Sequence, residues 1–351
     1  MKIRSRKNRN SIGIDIGHEK IRAVGISDND NGVELVAFSE ITSGLSRTNS
    51  GSVRITNSLD TNIFELLNNP RYGKFEKSSI VLSSPDGVSK SHKVKIPIRK
   101  FIGKKNRLDT FTKNGPESHY HEAHKIHTDY NEQGQQLDIY SIVGIEKSFY
   151  KNITESLDRH SFENLEISNQ IDPLNYILAK IGNEKKIVVI DIGYFDTKIF
   201  TVDTVARMER HISMGAQSFI ELLSKALNIS EYESLVLLSK TGINESELGK
   251  KIYAATKLLL AGLVSEIASY LDELCDFLQI EKYELGKVLV SGELAMMPGF
   301  SEYLSTNTGI SVEKIDPWEG TGTYPLKPMP KKIQPEYARA IALSLYGLRH
   351  S

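Results

Sequence analysis

The feature that most constrains this chain is a short pattern it carries twice. Residues 11–27 read SIGIDIGHEKIRAVGIS, and residues 187–203 read IVVIDIGYFDTKIFTVD. In each copy an apolar, β-branched run ends in Asp-Ile-Gly, a few polar residues follow, and a second apolar run returns. Two such runs around a Gly-containing turn predict a β-hairpin. The carboxylate, Asp15 in one copy and Asp191 in the other, stands at the end of a buried strand. A charge there is costly unless a cation or hydrogen-bond donors meet it. The neighbouring Gly17 and Gly193 let backbone approach a ligand closely or adopt positive φ. Two such turns in matched frames predict two similar halves that together cradle phosphate, with Asp15 and Asp191 holding magnesium through water. For either turn alone the plainer alternative stays open, that the Asp caps its own turn by bonding backbone amides.

At 351 residues the chain exceeds one compact core, so two or more domains are expected. Lys plus Arg equals Asp plus Glu at 44 each, which removes any bulk electrostatic case for nucleic acid or an anionic membrane. The single cysteine, Cys275, excludes an internal disulfide. It lies in a helical pattern and reads as a buried structural thiol in a reducing compartment. No run is read as reaching the roughly 18 apolar residues of a membrane span. The basic leader MKIRSRKNRN passes into an alternating strand rather than an apolar signal core, so a cytoplasmic location is expected.

Taken in order, residues 32–41 predict a third strand, 58–67 a short amphipathic helix, and 78–84 a buried strand closed by the Pro85-Asp86-Gly87 turn. Residues 99–136 are polar with poor periodicity and read as a surface insertion. Its His119, His121, His124 and His127 pose a metal question, since His119 and His121 would share one face of a strand. No Cys or carboxylate pattern completes a site, so a solvated loop is the reading taken. Residues 137–145 predict a strand, 147–160 a helix and 165–171 a strand, and Asp172-Pro173 opens a helix. After the second hairpin, Met214-Gly215 leads into a helix from about residue 218, an arrangement that offers backbone amides to an anion. A helix over 246–278 is expected with a break near Gly262. Residues 287–300, KVLVSGELAMMPGF, predict a strand ending in a Gly turn. The closing helix, 335–348, is apolar on most sides and should be buried in the first half.

Two Asp-Ile-Gly hairpins, a Gly turn before a helix, and a strand ending in SG-x-x-x-x-x-PG form an ordered set that resembles the actin-like ATPase superfamily. Within it the chain is similar to the PilM-like proteins of type IV pilus assembly, with FtsA-like division proteins next. Shared stretches include MGAQSFIELLSKALNIS, LVSGELAMMPGF, the following DPW and the AIALSLYGL ending. The resemblance implies an α/β, actin-like (ribonuclease H-like, duplicated) two-domain fold with a small inserted α+β subdomain. Residues 1–84 would begin the first domain, 85–168 form the insertion, 169–185 a connecting helix, 186–330 the second domain, and 331–351 return to the first.

The resemblance also implies the site. Asp15, Gly17 and Arg22 belong to the first phosphate turn, and Asp191, Gly193 and Thr197 to the second. Gly215 falls near the phosphates, Lys240 near the ribose, and Gly292 and Gly299 in the adenosine motif. Asp172 falls near the attacking water and is the one catalytic candidate. The implied cofactor is ATP with magnesium, weakly bound or lost, and the implied activity at most a slow ATPase. Partners would be the N-terminal peptide of a PilN-like single-span inner-membrane protein and other pilus platform proteins; self-association stays open, and no nucleic acid is expected. The protein would then sit at the inner membrane through that partner. Departures from the pattern accompany these expectations. His18, Glu19 and Lys20 stand where small hydroxyl residues are usual, Arg22 replaces a Lys, and Tyr194, Phe195, Asp196 and Glu293 fill positions usually small. Leu237 stands where an acidic residue is usual. Two further readings compete: an FtsA-like protein polymerising on membranes, which the chain's ending straight after the buried helix disfavours, and a sugar- or acetate-kinase-like phosphotransferase.

Overall fold

The structure, a computed structural model, describes residues 9–30, 32–47, 53–54, 58–83, 89–97, 119–130, 133–158, 162, 164–179, 186–202, 208–319 and 329–348. Residues 1–8 of the basic leader, the Pro85-Asp86-Gly87 turn and the 99–118 stretch lie outside these residues. The chain divides into two compact units. One runs to Ile177 and resumes at Arg339; the other runs from Leu178 and takes in Met329–Ala338.

In the first unit, β1 (Arg9–Ile16), β2 (Lys20–Asn29) and β3 (Gly32–Thr42) form an antiparallel meander. The short strands β4 (Ser46–Arg47) and β5 (Val53–Arg54) pair with each other. β6 (Tyr72–Gly73) borders β3, and β7 (Ser79–Ser83) lies parallel to β1. β8 (Ser89–Pro97), β9 (His119–Tyr130) and β10 (Gln136–Glu146) make a separate sheet in the order β8-β10-β9. β11 (Asn164–Ser168) then joins β7 in parallel, giving a six-stranded sheet β11-β7-β1-β2-β3-β6.

Strand alternation sorts the faces of this sheet. Ile12, Ile14 and Ile16 pack with Leu59, Ile63 and Leu66 of the helix Ser58–Asn68, and with Phe149, Ile153 and Leu157 of the helix Lys147–Asp158. The intervening residues face the closing helix, Ala338–Gly347. A side-chain carbon on Gly13 would lie 2.1 Å from the Ala340 carbonyl oxygen, so glycine there is what allows the close approach. Ser344 Oγ donates to the Ser11 carbonyl at 2.8 Å.

The second unit repeats the plan. β12 (Ile187–Ile192), β13 (Thr197–Val202) and β14 (Glu209–Ile212) form a meander, and β15 (Val288–Gly292) lies parallel to β12, with β16 (Val312–Lys314) outside it. The order β15-β12-β13-β14 matches β7-β1-β2-β3. Val188, Ile190 and Ile192 pack against the helices Ala216–Leu227 and Glu247–Leu278.

Three details correct the sequence reading. His119–Tyr130 is not loop but a 12-residue strand; its polar residues are tolerated because it lies at a sheet edge. Asn164–Ser168, expected within the insertion, pairs with β7 in the main sheet. Glu247–Leu278 is one unbroken helix through Gly262. By length and composition alone that helix would also suffice to cross a membrane. Its buried Ile252, Thr256, Leu260, Leu263 and Ile267 recur at spacings of three and four, the mark of a helix with one face on a core.

Candidate functional site

The two hairpins are built alike down to their hydrogen bonds. Gly17 N donates to Lys20 O at 2.9 Å, and Gly193 N donates to Asp196 O at 2.8 Å. Each carboxylate ends the central strand and is buried, Asp15 at 1 % and Asp191 at 4 % exposure. In parallel register Asp15 stands beside Ser83, and Asp191 beside Ser291. Ser83 Oγ donates to Asp15 Oδ1 at 2.7 Å, and Ser291 Oγ donates to Asp191 Oδ1 at 2.7 Å. In antiparallel register a buried cation faces each Asp: Arg22 opposite Asp15, and Lys198 opposite Asp191. Neither serine nor Lys198 was singled out from the sequence. A signal existed, since IVLS at 80–83 and VLVS at 288–291 are the same buried run with a hydroxyl at its end.

The surroundings then diverge. In the first unit Arg339 Nε lies 3.1 Å from Asp15 Oδ2, so a cation supplied by the closing helix already faces this carboxylate. Arg22 Nε lies 3.3 Å from Glu40, which also receives Lys20 at 3.3 Å and Arg71 at 2.7 Å. Asp172 is buried at the start of the helix Asp172–Leu178; Asn169 Nδ2 donates to its carboxylate at 2.5 Å, while its own amide donates to Asn169 Oδ1 at 2.7 Å.

In the second unit the hairpin turn and the Gly215 turn lock together. Ala216 N donates to Gly193 O at 3.0 Å, and Gln217 N donates to Tyr194 O at 2.8 Å. Helix N-terminal amides lack intrahelical partners and can serve an anion; here these two are taken by the turn's own carbonyls. Gly215 permits the approach, because a side-chain carbon on it would lie 2.5 Å from Asp196 N. Thr197 Oγ1 donates to Met214 O at 2.7 Å. The Asp196 carboxylate turns back toward Gly193 and lies 3.0 Å from His211 Nε2. Tyr194 and Phe195 meet edge to face, ring centres 4.9 Å apart.

Asp191, Gly193, Thr197, Gly215 and Gly292 therefore converge. Gly292, at φ +88°, ends β15 against Ile192, and Glu293 N donates to Ile192 O at 2.7 Å. Lys240 is exposed at the end of the helix Glu231–Lys240. Gly299, at φ +80°, starts the helix Phe300–Thr308, and Ile243 N donates to Pro298 O at 3.0 Å, bringing these two segments together. At Asp15 one oxygen accepts from Ser83 and the other meets Arg339, so a magnesium ion ligated directly by this carboxylate would have to displace one of them. Among the described residues no cluster of three or more His, Cys, Asp or Glu could hold a metal, although the side chains of His124 and His127 lie outside them.

Comparison with solved structures follows the same lines. The PilM-PilN type IV pilus biogenesis complex superposes with a TM-score of 0.71 at 18 % identity, covering 96 % of this chain and 98 % of that one. The ethanolamine utilization protein EutJ from Carboxydothermus hydrogenoformans gives 0.53 at 13 % identity over 97 % and 90 %. MreB 5 of Spiroplasma citri, bound to AMPPNP, gives 0.49 at 10 % over 96 % of each. No protein-family model matches the chain, and no curated protein sequence does. The fold is actin-like, α/β and duplicated, as the hairpins indicate.

Proposed function

We propose that this chain is an actin-like scaffold of a type IV pilus or related secretion assembly platform. It recruits the cytoplasmic tail of a PilN-like, single-span inner-membrane protein and is held at that membrane by the partner. The observation that carries the reading is the superposition on the PilM-PilN complex over nearly the full length of both chains. In this reading ATP binding is weak or lost. Support comes from the turns: Arg339 faces Asp15, the Ala216 and Gln217 amides are spent on carbonyls, and the Asp196 carboxylate lies beside Gly193. A carboxylate there repels phosphate unless a metal intervenes.

The test is retention of the full chain on an immobilised cytoplasmic tail from the single-span membrane protein encoded beside it. Saturable retention is expected, and none at high micromolar concentration would sink the scaffold reading. Magnesium-ATP should produce no saturable rise in melting temperature. A rise that disappears in Asp191→Ala would show a live nucleotide site instead.

A further inference from the structure

One pocket lies apart from both turns. It opens on the face of the first unit's sheet that carries the helix Ser58–Asn68, and its cavity is about 540 Å³, within the range of about 300–1,000 Å³ usual for ligand sites. Its floor is Ile12 and Ile80, register partners on β1 and β7, with Leu67 from the helix end. Phe75 and Phe162, both only partly buried, form the walls. Asp15 stands three residues further along β1, about 10 Å away at roughly 3.3 Å per residue, and on the opposite face. The pocket is therefore separate from the Asp-Ile-Gly turn.

Its rim is exposed and basic. Lys74 and Lys77 flank the mouth with Glu76 between them. Among the described residues neither lysine has an ion-pair partner. An apolar floor disfavours a free inorganic anion as the natural occupant, because the ion would give up its hydration against side chains that offer no hydrogen bond in return. Two lysines around a concavity are also fewer than the clusters of about four to eight that mark a lipid-binding surface.

We propose that this pocket docks an acidic peptide segment. One large apolar side chain of the segment seats between Phe75 and Phe162, above the buried Ile12 and Ile80, and flanking carboxylates meet Lys74 and Lys77. The proposal is independent of the pilus reading, since it rests on the pocket's own shape and charge.

The experiment selects binders from a displayed random-peptide library on the full-length protein. Lys74→Glu/Lys77→Glu serves as the comparison; both positions are exposed, and its unchanged melting temperature is confirmed first. Enriched peptides should carry Asp or Glu beside Leu, Phe or Met. The double variant should weaken them by about tenfold or more, and added salt should weaken them for the wild type. Enriched peptides without acidic bias, or peptides that bind the variant equally well, would overturn the proposal. Binding of phosphatidylglycerol vesicles, or concentration-dependent dimerisation, that is lost in the double variant would also overturn it, assigning the pocket to a lipid surface or to a second copy of the chain.

Discussion

At the scale of single residues, Asp15 and Asp191 are the same solution with different endings. Both are buried and both accept from a serine on the parallel neighbour strand. Asp15 also meets Arg339 of the closing helix. Removing one member of a buried ion pair leaves the other charge without compensation and costs about 3–5 kcal/mol. Arg339→Met is therefore expected to lose stability on that order in urea titration, and Asp15→Asn/Arg339→Met to recover most of it. A single variant as stable as the wild type would show that the pair contributes nothing to folding. The two aspartates were legible in the sequence because a charge ending an apolar run is conspicuous. Arg339 was not, since it reaches Asp15 only through a long-range contact that local pattern does not encode; the repeated run ending in Ser83 and Ser291 carried a signal that was not read.

Among whole elements, legibility tracked periodicity. The hairpins, the helix Lys147–Asp158 and the closing helix are strongly patterned and were found close to their true bounds. β9 was missed because an edge strand has no need to alternate cleanly. The expected break at Gly262 failed for a different reason: glycine lowers helix propensity, but packing of one face on the core overrides it. Among the described residues outside the helix's own backbone, a side-chain carbon there would meet only the Met214 Cε atom, at 3.6 Å, an ordinary contact. Gly262→Ala is thus expected to stabilise the protein by about 0.5–1 kcal/mol, read from the denaturation midpoint; a loss would mean the helix uses the glycine. Thirteen residues on, Cys275 is buried in the same helix, and burial pushes its thiol above the ordinary value near 9. A raised folded-state value means the contribution is present below the unfolded pKa and fades as pH rises above it. Stability should decline on that alkaline limb, the decline should flatten in Cys275→Ala, and an unchanged slope would discount the thiol.

For the molecule as a whole, the duplication is what sequence and structure state most consistently, and it can be tested one half at a time. The single tryptophan, Trp318, is fully buried and belongs to the second unit, so its emission reports unfolding there. Removing the hydroxyl that serves each buried carboxylate should cost about 1–3 kcal/mol. Ser291→Ala is expected to lower the midpoint of the Trp318 emission change. Ser83→Ala should displace the far-ultraviolet dichroism curve, which averages both units, and leave the Trp318 midpoint in place when the two units unfold independently. Equal displacement of the Trp318 signal by both variants would show the two units unfolding as one cooperative body. No displacement by Ser291→Ala would show that the matched serine-carboxylate bonds, however alike in geometry, do not carry matched energy.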